Sequence, residues 1–337
     1  MTTTGSKNSM IDFTKIPFEK IVKFGQQTLI KDDVFNISWI LGRFCNYKCS
    51  YCWPYANSQT PDYSDFQKYI QTIDSIKTQA RQNRFNKFHW SFSGGEPTAY
   101  KHLLSLLKYL EDGITPYQSI HMTTNLSPSK KWWGNWCMST ELFQRKSITA
   151  SYHSEFANEN EFAEKCLFLM GENVHVTINQ VMVPDQFYEL YDRCNRFHDK
   201  GINVTLKPQS NDTASAIVDG YTNEMIAIMQ NGFPQKAKEQ EIYQISLYDQ
   251  DNNEYLFDQA ERFNSFGFNN FKGWYCNSGY QSVIIRGDEI KRSYSCHDQP
   301  LGTLTDGFKL FGSPKKCITP SCVSSADSKI PKCKLTE

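Results

Sequence analysis

Along residues 36–210, short runs of β-branched and aromatic residues alternate with longer stretches whose apolar positions recur every three or four residues. The short runs predict strands at Asn36–Gly42, Lys87–Phe92, Gln118–Thr123, Ser147–Tyr152, Val174–Val183 and Asn203–Lys207. Between them the helical period predicts helices. Ser64 is placed to cap one that carries Phe66, Ile70, Ile73 and Ile76 on a single face. Others cover Tyr100–Leu110, ending near Gly113, then Glu159–Met170, and Gln186–Lys200, ending at Gly201. Six strand–helix units in succession imply a parallel sheet with helices outside it. A complete eight-unit barrel takes about 250 residues. The six units within 36–210 therefore predict an α/β chain built on a partial (β/α)6 TIM-type barrel.

After residue 210 the pattern changes. Ala214–Gln230 still reads as a helix, and Ile242–Leu247 leads into the polar turn Asp249–Asn253. Ser282–Ile285 and Glu289–Arg292 flank Arg286-Gly287-Asp288, a tight hairpin turn. Residues 250–337 are rich in Gly, Asn and Ser, and hold five of the 11 cysteines. The chain thus divides into an N-terminal extension (1–35), the barrel (36–210), a connector (211–249) and a small cysteine-rich appendix (250–337). The appendix has too thin an apolar core to stand alone, and a bound metal would supply the missing stability.

Lys and Arg balance Asp and Glu at 36 each, so no overall field recruits nucleic acid or an anionic membrane, and neither is an expected partner. No apolar run approaches the roughly 20 residues needed to span a bilayer. Met1–Lys7 is polar with no apolar signal core behind it, which predicts a cytoplasmic protein. There the thiols stay reduced, and their grouping reads as metal binding before disulfides.

The tightest group is Cys45, Cys49 and Cys52, in the run Arg43-Phe44-Cys45-Asn46-Tyr47-Lys48-Cys49-Ser50-Tyr51-Cys52. A closed structural zinc site wants four ligands. Three thiols in one loop suit a 4Fe–4S cluster with one iron left open to a second molecule. Three reduced loop cysteines, or an unrelated metal site, are the alternatives. The other polar motifs fall at the carboxyl ends of strands, the functional face of such barrels. Gly94–Pro97 follows the second strand, and Thr123-Thr124-Asn125 ends the third. Ser151-Tyr152-His153 ends the fourth, Asn179-Gln180 lies in the fifth, and Lys207-Pro208-Gln209 ends the sixth. His153, Gln180 and Lys207 are the candidates for direct action on a substrate.

On the cysteine loop and Ser93-Gly94-Gly95-Glu96-Pro97, residues 36–210 resemble the radical S-adenosylmethionine (SAM) superfamily. The resemblance implies that Cys45, Cys49 and Cys52 hold the cluster and that SAM chelates the fourth iron. It further implies that Tyr51 lies against the adenine and that Gly94 and Gly95 let the backbone approach the methionine moiety. Glu96 would sit beside the ammonium region, with Pro97 fixing the turn. Ser151 matches a position that contacts the ribose or carboxylate, and Asn125 and Asn179 match polar positions near the cofactor.

Cys276 and Cys296 bracket the Ser282–Arg292 hairpin, which brings its flanks together, and Cys317 and Cys322 can close the site. The layout resembles the twitch appendix, a shortened SPASM domain that carries an auxiliary 4Fe–4S cluster. Gly287 stands farther from Cys296, and Cys317 from Cys322, than is usual in that family. A four-thiolate zinc site is the competing reading, and Cys333 can replace Cys322 as a ligand. Cys137, Cys166 and Cys194 lack partners in sequence and read as small buried residues. Trp132, Trp133 and Trp136 read as core or lid packing.

Three functions fit these residues. The first is radical SAM modification of a ribosomal peptide; the short N-terminal extension then implies a separate leader-binding protein. The second is oxidation or rearrangement of a small polyol, amino sugar or nucleoside. The third is a non-catalytic iron–sulfur redox or structural protein. The first two need an electron donor such as a flavodoxin or ferredoxin.

Overall fold

The computed structural model describes residues 16–26, 33–53, 57–111, 114–212, 216–234, 245–257, 267–296, 300–322 and 324–334. β1 (Ile21–Gln26) comes first. Six strands then lie side by side in chain order, all parallel: β2 (Val34–Ile40), β3 (Lys87–Ser93), β4 (Tyr117–Thr124), β5 (Arg145–Tyr152), β6 (His175–Met182) and β7 (Asn203–Pro208). Each is followed by a helix: α1 (Phe66–Gln82), α2 (Leu103–Leu110), α3 (Lys130–Met138), α4 (Glu159–Gly171), α5 (Phe187–Asp199) and α6 (Asn223–Asn231). This is the predicted α/β partial barrel.

Several helix starts differ from the sequence expectation; α2 begins at Leu103, not Tyr100. The α1 cap is Asp65, whose carboxylate accepts from the Gln67 amide at 2.8 Å, while the Ser64 amide donates to the Tyr69 hydroxyl. α6 begins at Asn223, not Ala214, with the Thr222 hydroxyl accepting from the Met225 amide at 3.2 Å. Upstream, Ser210 and Ile217 form an antiparallel bridge and Gly220 has φ +103°, neither compatible with a helix. The stretch Ile242–Gln244 and Gly113 lie outside the described residues.

The strands have two unlike faces. Toward the helices, Phe35, Ile37, Trp39, Phe88, Trp90, Phe92, Ile120, Met122, Ile148, Ala150, Ile178 and Val204 are buried. They pack on Tyr69, Ile73 and Ile76 of α1, on the leucines of α2, and on Trp133 and Trp136 of α3. Parallel sheets are usually apolar on both faces. Here the face away from the helices is hydroxylic and half-buried, with Ser38, Ser91, Thr123, Thr149, Ser151, Thr177, Asn179 and Thr205. At its amino end the His89 and Ser119 side chains are 2.8 Å apart, and those of His121 and Ser147 3.0 Å. Burial lowers His89 to about 3 and His121 to about 4, so both imidazoles are neutral near pH 7.

The C-terminal third supplies β8 (Ile245–Asp249), β9 (Glu254–Phe257), β10 (Tyr275–Cys276), β11 (Ser282–Arg286), β12 (Glu289–Lys291), β13 (Gly302–Thr303), β14 (Gly307–Phe308), β15 (Lys315–Lys316) and β16 (Lys332–Cys333). β11 and β12 form the expected hairpin, with Gly287 at φ +60° in its turn. β11 also pairs in parallel with β2, setting Ser282 opposite Asn36 and Arg286 opposite Ile40. Through β11 to β14 the barrel sheet grows to ten strands. A second, six-stranded sheet has the order β15-β10-β16-β1-β8-β9 and closes over Ile21, Phe24, Ile245, Leu247, Phe271 and Trp274. β1, from the N-terminal extension, thus sits between strands of the C-terminal region. None of the described helices is long and apolar enough to cross a membrane.

Candidate active site

The cysteine loop leaves the carboxyl end of β2 and is held from three directions. First, the Asp62 carboxylate accepts from the amides of Arg43 and Phe44 at 2.7 and 3.1 Å. Second, the turn after β3 presses on the loop: the Gly95 amide donates to Gly42 O and the Glu96 amide to Phe44 O, both at 2.8 Å. This contact demands glycine. A Cβ on Gly94 would lie 2.2 Å from Gly42 O, and one on Gly95 would lie 2.2 Å from Arg43 O and from Phe44 O. The close approach these glycines permit here is to the segment that leads into Cys45.

Third, residues 153–156, just past β5, form a dock for the loop. The Glu155 carboxylate accepts from the Ser50 amide at 3.0 Å and from the Ser50 hydroxyl. The Tyr51 hydroxyl and His153 Nδ1 are 2.8 Å apart, and Tyr47 stacks on Phe156 with centroids 4.8 Å apart. Burial lowers His153 to about 4 and raises the Tyr51 phenol, so both stay neutral and share one hydrogen bond. His153 and Tyr51 therefore meet, a pairing that the strand-end placement alone did not show. Asp62 and Glu155 were not legible, because each reaches the loop only through the fold.

Glu96 is 2% exposed and fully engaged. Its Oε1 accepts from the Thr98 amide (3.0 Å), the Thr98 hydroxyl (2.7 Å) and the Thr124 hydroxyl (2.7 Å); its Oε2 accepts from the Asn125 amide at 2.7 Å. Burial raises its carboxyl, and these hydrogen bonds oppose the shift. Glu96 thereby ties the end of β4 to the glycine turn. Pro97 is buried and opens a single 3-10 turn. The Asn125 side chain donates to Asn46 Oδ1 at 2.9 Å and stands 3.9 Å from Cys45 Sγ, so the fold brings it to the cysteine loop.

Ser151 and Asn179 lie opposite one another in register on the half-buried hydroxylic face, and Asn179 in turn faces Thr205. Lys207 is half-buried at the end of β7 on that face. Gln180 alternates to the other side. It is 1% exposed among the residues under the helices and donates to Val181 O at 2.7 Å, so the fold does not bring it to the site.

The loop thiols have the chemistry of a cluster site. Cys45 and Cys49 are half-buried and Cys52 is exposed. Burial raises all three thiols, Cys49 to about 12, and each of Cys45 and Cys49 feels the charge of Cys52. Three mutually repelling soft ligands with no fourth in the loop fit an iron–sulfur cube that leaves one iron open. Among the described residues no group of three His, Cys, Asp or Glu side chains converges as around one metal ion. Thiolates on a cube bind separate irons and need not do so.

Glu155 gives a direct test of the dock. A hydrogen bond contributes about 0.5–1.5 kcal/mol net, roughly 2- to 10-fold in an equilibrium. Glu155→Ala is expected to release iron from the loop to a chelator about that much faster, with an unchanged melting temperature. Equal release rates would show that Glu155 does not seat the loop.

The second cysteine group shares the wall of a single pocket. Cys276, Cys296, Cys317 and Cys322 line it, with Phe271, Arg292, Asp327 and Lys332 also on its wall. Cys333, on β16 opposite Lys23 and Tyr275, is not part of that lining. The Ser293 hydroxyl donates to Cys296 Sγ at 3.2 Å. Cys137, Cys166 and Cys194 are buried on α3, α4 and α5, as expected of small core residues.

Residues 39–132 match the family model described as the radical SAM superfamily. The chain is similar in structure to a tagged form of anSMEcpe with bound AdoMet, at 13% identity and TM-score 0.53, covering 82% of this chain and 79% of that one. Native anSMEcpe with bound AdoMet aligns over the same shares at 13% identity and TM-score 0.51. At such identity the likeness shows a common fold. None of the curated proteins compared with the chain matches it.

Proposed function

Because this chain carries a radical SAM domain, we propose that it is an enzyme that oxidatively modifies a peptide, with a second 4Fe–4S cluster on Cys276, Cys296, Cys317 and Cys322. A cluster and SAM bound there would supply one-electron cleavage of the sulfonium C–S bond and, through it, hydrogen-atom abstraction from the substrate. The chain's own residues must orient the target carbon and exclude other hydrogen donors. Cys45, Cys49 and Cys52 would hold the first cluster, with SAM between it, Asn125, Ser151 and Asn179. Tyr51 and His153 would wall the site near the adenine. The carrying observation is that four distant thiols share the wall of one pocket beside a barrel whose mouth holds the three-thiol loop.

The hydroxylic face supports a peptide. Thr123, Thr149 and Thr177 lie in register across β4, β5 and β6, and Ser151, Asn179 and Thr205 form a second row across β5, β6 and β7. Strands stand about 4.8 Å apart, so such rows offer donors and acceptors over roughly 10 Å, about three extended residues. A small polyol would use less of it. The electron donor would be a flavodoxin- or ferredoxin-type protein, and a separate leader-binding protein would deliver the peptide.

The test is anaerobic reconstitution followed by SAM and dithionite. The expected protein carries about eight irons, four per cube, and forms 5′-deoxyadenosine faster when leader-bearing peptides encoded beside its gene are added. About four irons with one equivalent of zinc would remove the second cluster. Stimulation by polyols or amino sugars and not by peptides would move the substrate to small metabolites.

A further inference from the structure

We propose that the buried ammonium of Lys332, aided by the Arg292 guanidinium, raises the reduction potential of the second cluster above that of the first and so makes it the electron acceptor of the pair. The proposal rests on the second site holding a 4Fe–4S cluster. Lys332 is 3% exposed. Its Nζ donates to the backbone carbonyls of Asp327 (2.8 Å), Ile330 (2.7 Å) and Ser328 (3.4 Å). Those three neutral acceptors use the ammonium's three donors, and the acidic residue of the same cavity, the buried Asp327, is partly engaged by Ser295. The rings of Phe24 and Phe271, with centroids 5.2 and 4.7 Å from Nζ, surround it with low-polarity matter. A charge buried in this way is costly without a counter-charge. Asp327 supplies part of one, and the four thiols of the same cavity would supply the rest as cluster thiolates.

Lys332 shares its cavity wall with Cys276, Cys296, Cys317 and Cys322. Arg292 is 5% exposed, lies over the Phe311 ring at 5.4 Å and lines the same cavity. Asp327 is the acidic residue of the lining, and its carboxylate is held by the amide and hydroxyl of Ser295 at 2.7 and 2.8 Å. Around the first site the charges have the other sign. The buried Glu96 carboxylate accepts from Asn125, whose side chain stands 3.9 Å from Cys45 Sγ, and the Glu155 carboxylate accepts from Ser50, the neighbour of Cys49. Reduction adds one electron, hence one negative charge, to a site already anionic from its thiolates. In a low-dielectric setting nearby cations favour that step and nearby carboxylates oppose it. The two sites are therefore split, with the second easier to reduce.

Redox titration of the reconstituted protein, followed by the paramagnetic signal of each reduced cluster, tests this. The second cluster is expected to titrate at the higher potential. Lys332→Met should disfavour its reduction by about tenfold, a shift of about 59 mV to lower potential for one electron. Lys332→Arg should keep most of the potential, the first cluster should not move, and Lys334→Met, a nearby lysine outside the cavity lining, should change neither. If Lys332→Met fails to retain its second set of irons, Arg292→Gln takes its place with the same expected direction. An unmoved potential in the variant that retains the cluster overturns the proposal, as does a second cluster lower than the first. Absence of second-site iron in the parent protein is a different result: it overturns the proposed cluster, and this inference falls with it.

Discussion

A variant with Cys45, Cys49 and Cys52 all replaced by alanine forms no 5′-deoxyadenosine above background from SAM and dithionite, while the parent protein does so. This is the largest effect expected. The three thiols are the soft donors of the loop, and no neighbouring side chain can substitute: Asn125 is an amide, and Glu96 is already saturated by Thr98, Thr124 and Asn125. Iron should fall from about eight to about four, because a cube takes four irons and the second group lies on other segments of the chain. Retained 5′-deoxyadenosine formation would move SAM cleavage away from this loop. The variant should stay folded, since the loop thiols contribute little to the apolar core.

Gly95→Ala is expected to have nearly the same outcome without touching a ligand. Its Cβ would fall 2.2 Å from two backbone carbonyl oxygens, Arg43 O and Phe44 O. Backbone cannot swing aside as a flexible side chain can. The turn must retreat, breaking the hydrogen bonds from Gly95 to Gly42 and from Glu96 to Phe44. Overpacking costs about 1–3 kcal/mol even where side chains can adjust. The first cluster should be lost or held at a small fraction of parental occupancy, with the second unaffected. Gly134→Ala is the control: in α3 its Cβ would meet nothing within 4 Å, and the exchange should stabilise by about 0.5–1 kcal/mol. Full first-cluster occupancy in Gly95→Ala would show that the glycine turn does not position the loop.

Both expectations bear on what could be read in advance. The barrel was legible because strands and helices have different periods, and the six strand segments repeat that alternation without interruption. The site positions followed, since polar motifs at carboxyl strand ends share one rim. Alternation within a strand sends neighbouring side chains to opposite faces. Asn179 and Gln180 are adjacent, so only one of them can face the hydroxylic side, and the structure puts Gln180 beneath the helices. The glycine turn was recognised, but its contact was not. Only the folded chain shows that Gly94 and Gly95 pack on residues 42–44.

By itself the sequence determined the local matters: the period of each element, the Ser282–Arg292 hairpin, and the cysteine loop with its missing fourth ligand. Each depends on residues a few positions apart, where backbone sterics and side-chain spacing act directly. Tertiary structure decided everything that joins distant segments. Glu155 meets Ser50 across 105 positions, β11 adds to β2 although the whole barrel separates them in sequence, and Cys276, Cys296, Cys317 and Cys322 share a wall with Lys332. Such contacts follow from how sheets close and which faces must be buried. A carboxylate that seats a loop or a lysine that charges a cavity looks, along the chain, like any other surface residue.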